Sequence, residues 1–523
     1  MLGRCHYPTQ RLASKLRGLK GRNAMGDDVA GDVKKGRRRF VHYFFMLFAV
    51  VLCVLLYGLR AFVLTPYSID LNSSSKERSG VSVPGLHVGG NAGDDRGLVV
   101  LDNQVNSPCS AMRDHTICCD RSDVNTDVCF MAGDVRTDAA SLSLLLFPPL
   151  QAPVTNAGEE ERVRPYPRKW ERWIMRRIQE VRLRVARPEE AARHRCDVRH
   201  DAPALVISAG GYTDNFFHAF SDGLLPSWVT AQHLRRRVVL AVLSYNPSWA
   251  GTFAEIISGI SAYRVVDLLN DKRTHCFPGA IVGTRFHGIL TVDPARLRDN
   301  KTIVDFHRLL ADVYDTAEDD HPKPESTTIQ RQPPARRPRL GIVSRKGTRV
   351  IENQAAVARL AAAVGFDVDI LETANGAPLS AVYAAVSACD ALVGVHGADL
   401  TKFLFQRPGR AALAQIVPLG VSAIARDCFG APSARMGLHY EAYEVSRRES
   451  SLSREYAPDD VVVADPETAK REKGWDIVAV VRVYLAGQNV SLDLGRFRET
   501  LVRLHSRAML LQRQELEADT VKA

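Results

Sequence analysis

The sequence predicts an α/β protein with two Rossmann-like halves facing a cleft, preceded by a single transmembrane helix and a stem. Three observations predict it. A charge-free apolar run stands behind a basic tail; short apolar runs alternate with helical patterns from about residue 202 onward; and a stretch of prolines and charges interrupts that alternation once.

Residues 1–39 are the tail, with eleven Lys/Arg against three Asp. The 523-residue chain carries a formal charge of +10, so most of it sits in this tail and the body is close to neutral. A nucleic-acid partner, which needs a basic binding face, is not expected. Residues 40–64 hold the anchor. Phe40 to Leu59 has no formal charge, and Arg60 closes it. At about 1.5 Å per residue the run reaches roughly 30 Å, the thickness of a bilayer core. A cleaved signal peptide would be shorter, lie nearer the N-terminus and end in small residues. Positive charge stays cytoplasmic, which sends the rest of the chain into the lumen.

Residues 65–108, rich in Ser, Gly, Asn and Asp, are expected to be a stem. Eight cysteines lie beyond the anchor: Cys109, Cys118, Cys119, Cys129, Cys196, Cys276, Cys389 and Cys428. An even number in an oxidising compartment predicts disulfides, in a pairing that the spacing does not fix. No C-x-x-C pair supports a metal site instead. Sequons at Asn72, Asn300 and Asn489 fit a luminal, glycosylated body.

Residues 109–320 form the first half. Ala204–Ser208, Val238–Leu243, Arg264–Leu269 and Ala280–Gly283 read as buried strands, with a helix from Asn215 to about Leu234. Residues 321–338, with five prolines, read as a linker. Residues 339–523 form the second half. Its strands are Leu340–Val343, Val368–Leu371, Ala391–Val395 and Ala412–Val417. Helices fall near Asn353–Val364, Leu379–Ser387 and Ala398–Phe405, and a closing helix near Arg496–Ala518. Such alternation means a parallel sheet covered on both faces.

Ligands of such sheets bind at the carboxyl ends of the strands, so those ends hold the candidate site. Arg345, Lys346 and Arg349 follow one strand, and guanidinium groups bond phosphate oxygens in pairs. His396, Gly397 and Ala398 follow another and open a helix, whose free N–H groups suit a diphosphate. In the first half, His218 and Asp222 lie four apart on one helix face, the spacing of a base and the carboxylate that orients it, or of an acid and a base. The D-x-D pair Asp367 and Asp369 begins a strand with no third ligand nearby and reads as structural, so no metal cofactor is expected. No phosphate loop of the G-x-x-x-x-G-K-[ST] kind and no G-x-S-x-G elbow occurs.

Several of these runs together resemble plant members of glycosyltransferase family 61. They are 210–226, His275-Cys276-Phe277-Pro278, 342–349, Val393-Gly394-Val395-His396-Gly397-Ala398, Gln415–Gly420 and Glu449-Ser450-Ser451-Leu452, in order over about 109–505. The resemblance implies a GT-B fold, an inverting reaction and a Golgi membrane protein with its catalytic part in the lumen. It implies UDP-xylose or UDP-arabinofuranose as donor and a xylan-type polysaccharide as acceptor. An N-glycan β-1,2-xylosyltransferase, a UDP-GlcNAc-using transferase and an inactive scaffold are the alternatives. By the same resemblance Arg345, Arg349 and the His396–Ala398 turn would hold the UDP, and Asp222 would be the base with His218 in support, or the reverse. The chain departs from the family's His-Gly-Ala-Gly-Leu-Thr-Asn at Asp399 and Lys402. An acidic residue there opposes a diphosphate, and Lys402, one turn on, offsets it.

Overall fold

The computed structural model describes residues 101–149, 160–315, 336–372 and 377–522. The expected transmembrane helix, the stem up to residue 100, the Asn72 sequon and most of the linker lie outside these residues. Among the described residues no helix is long and apolar enough to cross a membrane.

The second half follows its apolar pattern closely. Strands β11 (Arg339–Ser344), β12 (Asp367–Glu372), β13 (Ala391–Val395), β14 (Ala412–Val417) and β15 (His439–Glu444) form a five-stranded sheet in the order β12-β11-β13-β14-β15. Every pairing is parallel. Alternate side chains serve two cores: Ala391, Val393 and Val395 face one layer, and Leu392 the other. Helix Gln354–Val364 and the closing helix Leu494–Lys522 cover the first layer through Val357, Ala361, Phe497, Leu501 and Leu504. β15 is the strand that the apolar pattern did not announce. It alternates His, Tyr and Glu at a half-exposed edge and so shows no buried run.

The first half differs from a plain parallel sheet. Its strands are β1 (Ile117–Asp120), β2 (Val128–Asp138), β3 (Ser143–Phe147), β4 (Glu160–Val163), β5 (Val181–Val185), β6 (Val198–Arg199), β7 (Ala204–Ser208), β8 (Val239–Leu243), β9 (Val266–Asp267) and β10 (His275–Val282). They form a ten-stranded sheet along the path β4-β5-β3-β2-β10-β7-β8-β9, with β1 on β2 and β6 on β10. The expected strands are the parallel part, β10-β7-β8-β9. β2 joins it antiparallel to β10 and turns tightly into β3, a connection too short for a crossover. The strand expected over Arg264–Leu269 pairs only at Val266–Asp267.

The end of the expected stem belongs to the fold. Leu101 is buried, and Arg285 is sandwiched between Asp102 and Asp120, each at 2.5 Å. Three disulfides, Cys109–Cys118, Cys119–Cys129 and Cys196–Cys276, bind this half together. Cys389, by contrast, is a buried thiol rather than a disulfide partner. A single apolar core runs between the two sheets, where Phe217 and Phe220 meet Phe429 and Phe405 at 5.5 and 6.0 Å between ring centroids.

Candidate functional site

Strand β7 ends in Ser208 and the chain turns through Gly210-Gly211 into a helical run. Asn215 caps that run, its Oδ1 accepting from the amides of Phe217 (3.0 Å) and His218 (3.4 Å). A π-helical turn, Ala219–Leu224, follows and carries Asp222. The structure brings the predicted pair together: His218 Nδ1 lies 2.8 Å from Asp222 Oδ2, and both side chains are closed to solvent.

Asp222 has more partners than the sequence suggested. Arg168 grips it with a fork, Nε to Oδ2 at 2.9 Å and Nη2 to Oδ1 at 2.8 Å, and the Tyr166 hydroxyl donates to Oδ2 at 2.8 Å. Arg168 also bonds Glu171, which accepts from the Tyr212 hydroxyl at 2.8 Å. The Tyr166 hydroxyl in turn accepts from the Tyr212 amide. This close packing needs Gly211, at φ +68°, where a Cβ would come within 2.6 Å of the Tyr166 ring. Tyr212 stacks on the His218 ring at 4.7 Å between centroids.

Burial alone would raise the Asp222 pKa, but the charge of Arg168 and the bonds from His218 and Arg168 outweigh it and hold the carboxyl below its usual range. Nδ1 faces both Asp222 Oδ2 at 2.8 Å and the Arg168 guanidinium, Nη2 at 3.1 Å; an ionised carboxylate only accepts, so the shorter contact assigns the proton to Nδ1, which leaves Nε2 as the ring's acceptor nitrogen. Burial also lowers the His218 pKa, against the opposing pull of Asp222. A neutral imidazole oriented by a carboxylate is able to take a proton. Arg168, Tyr166 and Glu171 escaped the sequence reading. Their signal was faint: a Tyr-Pro-Arg-Lys-Trp-Glu run that looks like a solvated loop.

The second cluster stands where the strand order of the five-stranded sheet reverses, between β11 and β13, at their carboxyl ends. Arg345 and Arg349 leave β11 and crowd the backbone of Gly397, which follows β13. A Cβ at Gly397 (φ +153°) would meet Arg345 Nη1 at 2.8 Å and Arg349 Cζ at 3.3 Å. Asp399 accepts from Arg345 Nη1 at 2.6 Å, and Lys402 Nζ stands 3.8 Å from its other oxygen. Ala398 opens the 3₁₀ helix Ala398–Phe405 that carries Asp399 and Lys402.

Two predicted residues stand elsewhere. Lys346 is exposed and pairs with Glu372 at 3.5 Å, away from the guanidinium pair. His396 is buried beneath the turn, with Nδ1 2.9 Å from Gln415 Nε2 and its ring against Phe429. Burial, then Arg349 and Arg345, push its pKa well below that of a free imidazole, so its side chain is a neutral support rather than a cation for phosphate. Asp367 and Asp369 lie at the amino end of β12, opposite the guanidinium pair, where Asp369 pairs with Arg339. Asn300 is exposed, whereas Asn489 is half-buried and its Oδ1 accepts from the Val350 amide.

The two clusters are neighbours across the core. Phe217, adjacent to His218, packs on Phe429, which packs on His396 at 5.3 Å between centroids.

A family model described as glycosyltransferase 61 matches residues 216–413, which begin at the capped helix and end within β14. The chain is 36% identical to the xylan glycosyltransferase MUCI21 of Arabidopsis thaliana over 420 residues, covering 78% of this chain and 83% of the relative. It is 33% identical to the beta-1,2-xylosyltransferase XYXT1 of Oryza sativa subsp. japonica over 398 residues, 74% of this chain and 83% of that one. It is also 33% identical to the alpha-1,3-arabinosyltransferase XAT3 of the same rice over 387 residues, 73% of this chain and 64% of that one. With a site that pairs guanidinium groups at a strand-order reversal with a carboxylate-held histidine, and with relatives of this extent, the chain belongs to glycosyltransferase family 61 and is a glycosyltransferase.

Proposed function

We propose that the protein transfers a pentose, xylose or arabinofuranose, from a UDP-sugar to xylan, with inversion and without a metal ion. The two halves act as the facing domains of a GT-B enzyme, anchored in the Golgi membrane with the site in the lumen. The observation that carries the reading is the meeting of Arg345 and Arg349 on the Gly397 backbone, a short step through Phe429 and Phe217 from His218. The names of the relatives supply the substrate class.

The chemistry divides between the clusters. The acceptor hydroxyl attacks the anomeric carbon, and its proton passes to His218 Nε2. The bond from that carbon to the diphosphate breaks, and Arg345 and Arg349 meet the charge that develops on the leaving UDP. Asp222 is occupied by Arg168, Tyr166 and His218, so it orients and stabilises the imidazolium while His218 is the base. Because His218 is closed to solvent, the step requires a rearrangement that bares Nε2.

The ion pair of Asp399 with Arg345 favours a second reading, a scaffold that binds UDP without turnover. The test is the full-length protein in detergent with UDP-xylose or UDP-arabinofuranose and xylo-oligosaccharides, with and without EDTA. Addition of one pentose that survives EDTA supports the transferase. EDTA-sensitive transfer overturns its metal-free form, and UDP binding with no product favours the scaffold.

A further inference from the structure

We infer that Trp173 is the platform of an acceptor subsite, on which a pyranose ring of the glycan chain stacks beside the unit that reacts. The inference rests on the transferase reading above and adds where the chain lies.

Trp173 belongs to the short helix Arg172–Met175, directly after Glu171. The next residue, Ile174, is fully buried with Tyr166, Ile178 and Tyr212, so a core lies within reach. Trp173 nevertheless keeps 39% of its surface exposed. Among the described residues it is the one aromatic side chain left exposed, and an indole combines a large apolar face with a polar N–H, the pairing that recognition surfaces favour. Its position is fixed from behind: its ring meets Tyr212 edge to face at 5.5 Å between centroids, and Tyr212 is itself 2% exposed. Tyr212 stacks on His218, so the open indole stands one aromatic ring away from the proposed base.

The same contacts make the platform rigid. Glu171, which begins the helix, is held by Arg168 and Tyr212, and Arg168 is held by Asp222. Arg177 lies with Cζ 4.9 Å over the indole ring. A guanidinium stacked on one face of the indole holds the ring in place and carries its N–H fork to the rim, where the hydroxyls of a sugar packed on the open part of the ring can accept from it. An uncharged polysaccharide gives a protein little else to hold, and a chain of repeated rings lets one unit anchor while its neighbour reacts.

The test is steady-state kinetics of the full-length protein in detergent, with the donor that wild type uses and with xylobiose or xylohexaose as acceptor. Trp173→Ala should raise the KM for xylohexaose about tenfold, remove the preference for the longer acceptor, and leave donor KM and saturated kcat within about twofold. Trp173→Phe should keep most of the preference. If Trp173→Ala does not fold, Trp173→Leu, which keeps bulk without an aromatic face, decides the matter by the same acceptor-length comparison. A folded Trp173→Ala, or in its absence Trp173→Leu, with wild-type KM and wild-type length dependence overturns the platform alone. Wild-type protein that binds UDP yet transfers nothing to xylohexaose overturns the transferase reading, and the platform with it.

Discussion

Asp399 sits against Arg345 at 2.6 Å, so a carboxylate of the protein occupies one arm of the guanidinium that is proposed to receive a diphosphate. Nucleotide binding then competes with an internal anion. Asp399→Asn should tighten UDP binding by about five- to tenfold, roughly 1 kcal/mol for this partly exposed pair. Calorimetry with UDP and with the UDP-sugar checks it. If Asp399 instead accepts from a donor-sugar hydroxyl, the variant will weaken the UDP-sugar while leaving UDP unchanged.

Gly397 accommodates both guanidinium groups only because it lacks a side chain. Gly397→Ala should lower donor affinity more than tenfold by pushing Arg345 and Arg349 apart, and cost about 1 kcal/mol of stability at its positive φ. Donor KM and a thermal melt, measured on the same preparation, separate the two effects. An alanine variant with wild-type donor KM would remove Gly397 from the donor site.

Arg168 and Asp222 are buried together, with side-chain exposures of 2% and 0%. Arg168→Ala leaves the carboxylate buried without its main partner and should cost about 3–5 kcal/mol in denaturant unfolding. Arg168→Lys keeps the charge but not the fork, and should fold while losing kcat through a misoriented His218. Retention of full kcat in the lysine variant would show that the fork does not position the base.

Burial holds the His218 pKa below the ordinary 6.5, and His396 is lowered likewise. A base works in its neutral form, so transfer should persist as pH falls through 6.5 and decline only at more acid pH. The unfolded chain takes up these protons near pH 6.5 whereas the folded chain does not, so stability should fall as pH drops below that value. A pH–rate profile and melting temperatures between pH 5 and 8 check both (the range in which imidazole titrates). An acid limb at or above 6.5 contradicts His218 as base.

Asn300 and Asn489 carry the same sequon but stand in different settings. Asn300→Gln should shorten the glycosylated protein by one glycan in mass, because its side chain is open. Asn489→Gln should leave the mass pattern unchanged yet destabilise, since the Asn489 amide bonds the Val350 backbone.

How much was legible followed from burial. β7, β13 and β14 are fully buried and were read within a residue of their ends, because a strand covered on both faces shows as an unbroken apolar run. β15 and β1 are half-exposed and mix polar side chains into the strand, so no pattern separated them from loops. The meeting of Arg345 and Arg349 with the turn after β13 was legible as a juxtaposition because both follow the carboxyl ends of strands in one parallel sheet. The partners of Asp222 were not. Arg168 lies 54 residues from it in sequence, and only the fold brings that loop across to the helix. Composition also misjudged the residues just before 109, where Asp102 and Ser107 are polar because they surround Arg285.

Strand β2 has a consequence for how the chain is made. It holds β1 and β3, its near neighbours in sequence, but its other edge waits for β10, where Arg136 faces Cys276. As the chain enters the compartment in which it folds, those eleven residues arrive early and remain one-sided until β10 emerges. An open apolar edge is an invitation to the wrong partner. Truncations ending before residue 275 should therefore aggregate, and only those that extend past Val282 should hold all ten strands. The half that holds His218 and Asp222 would thus be in place before Arg345 and Arg349 have been synthesised.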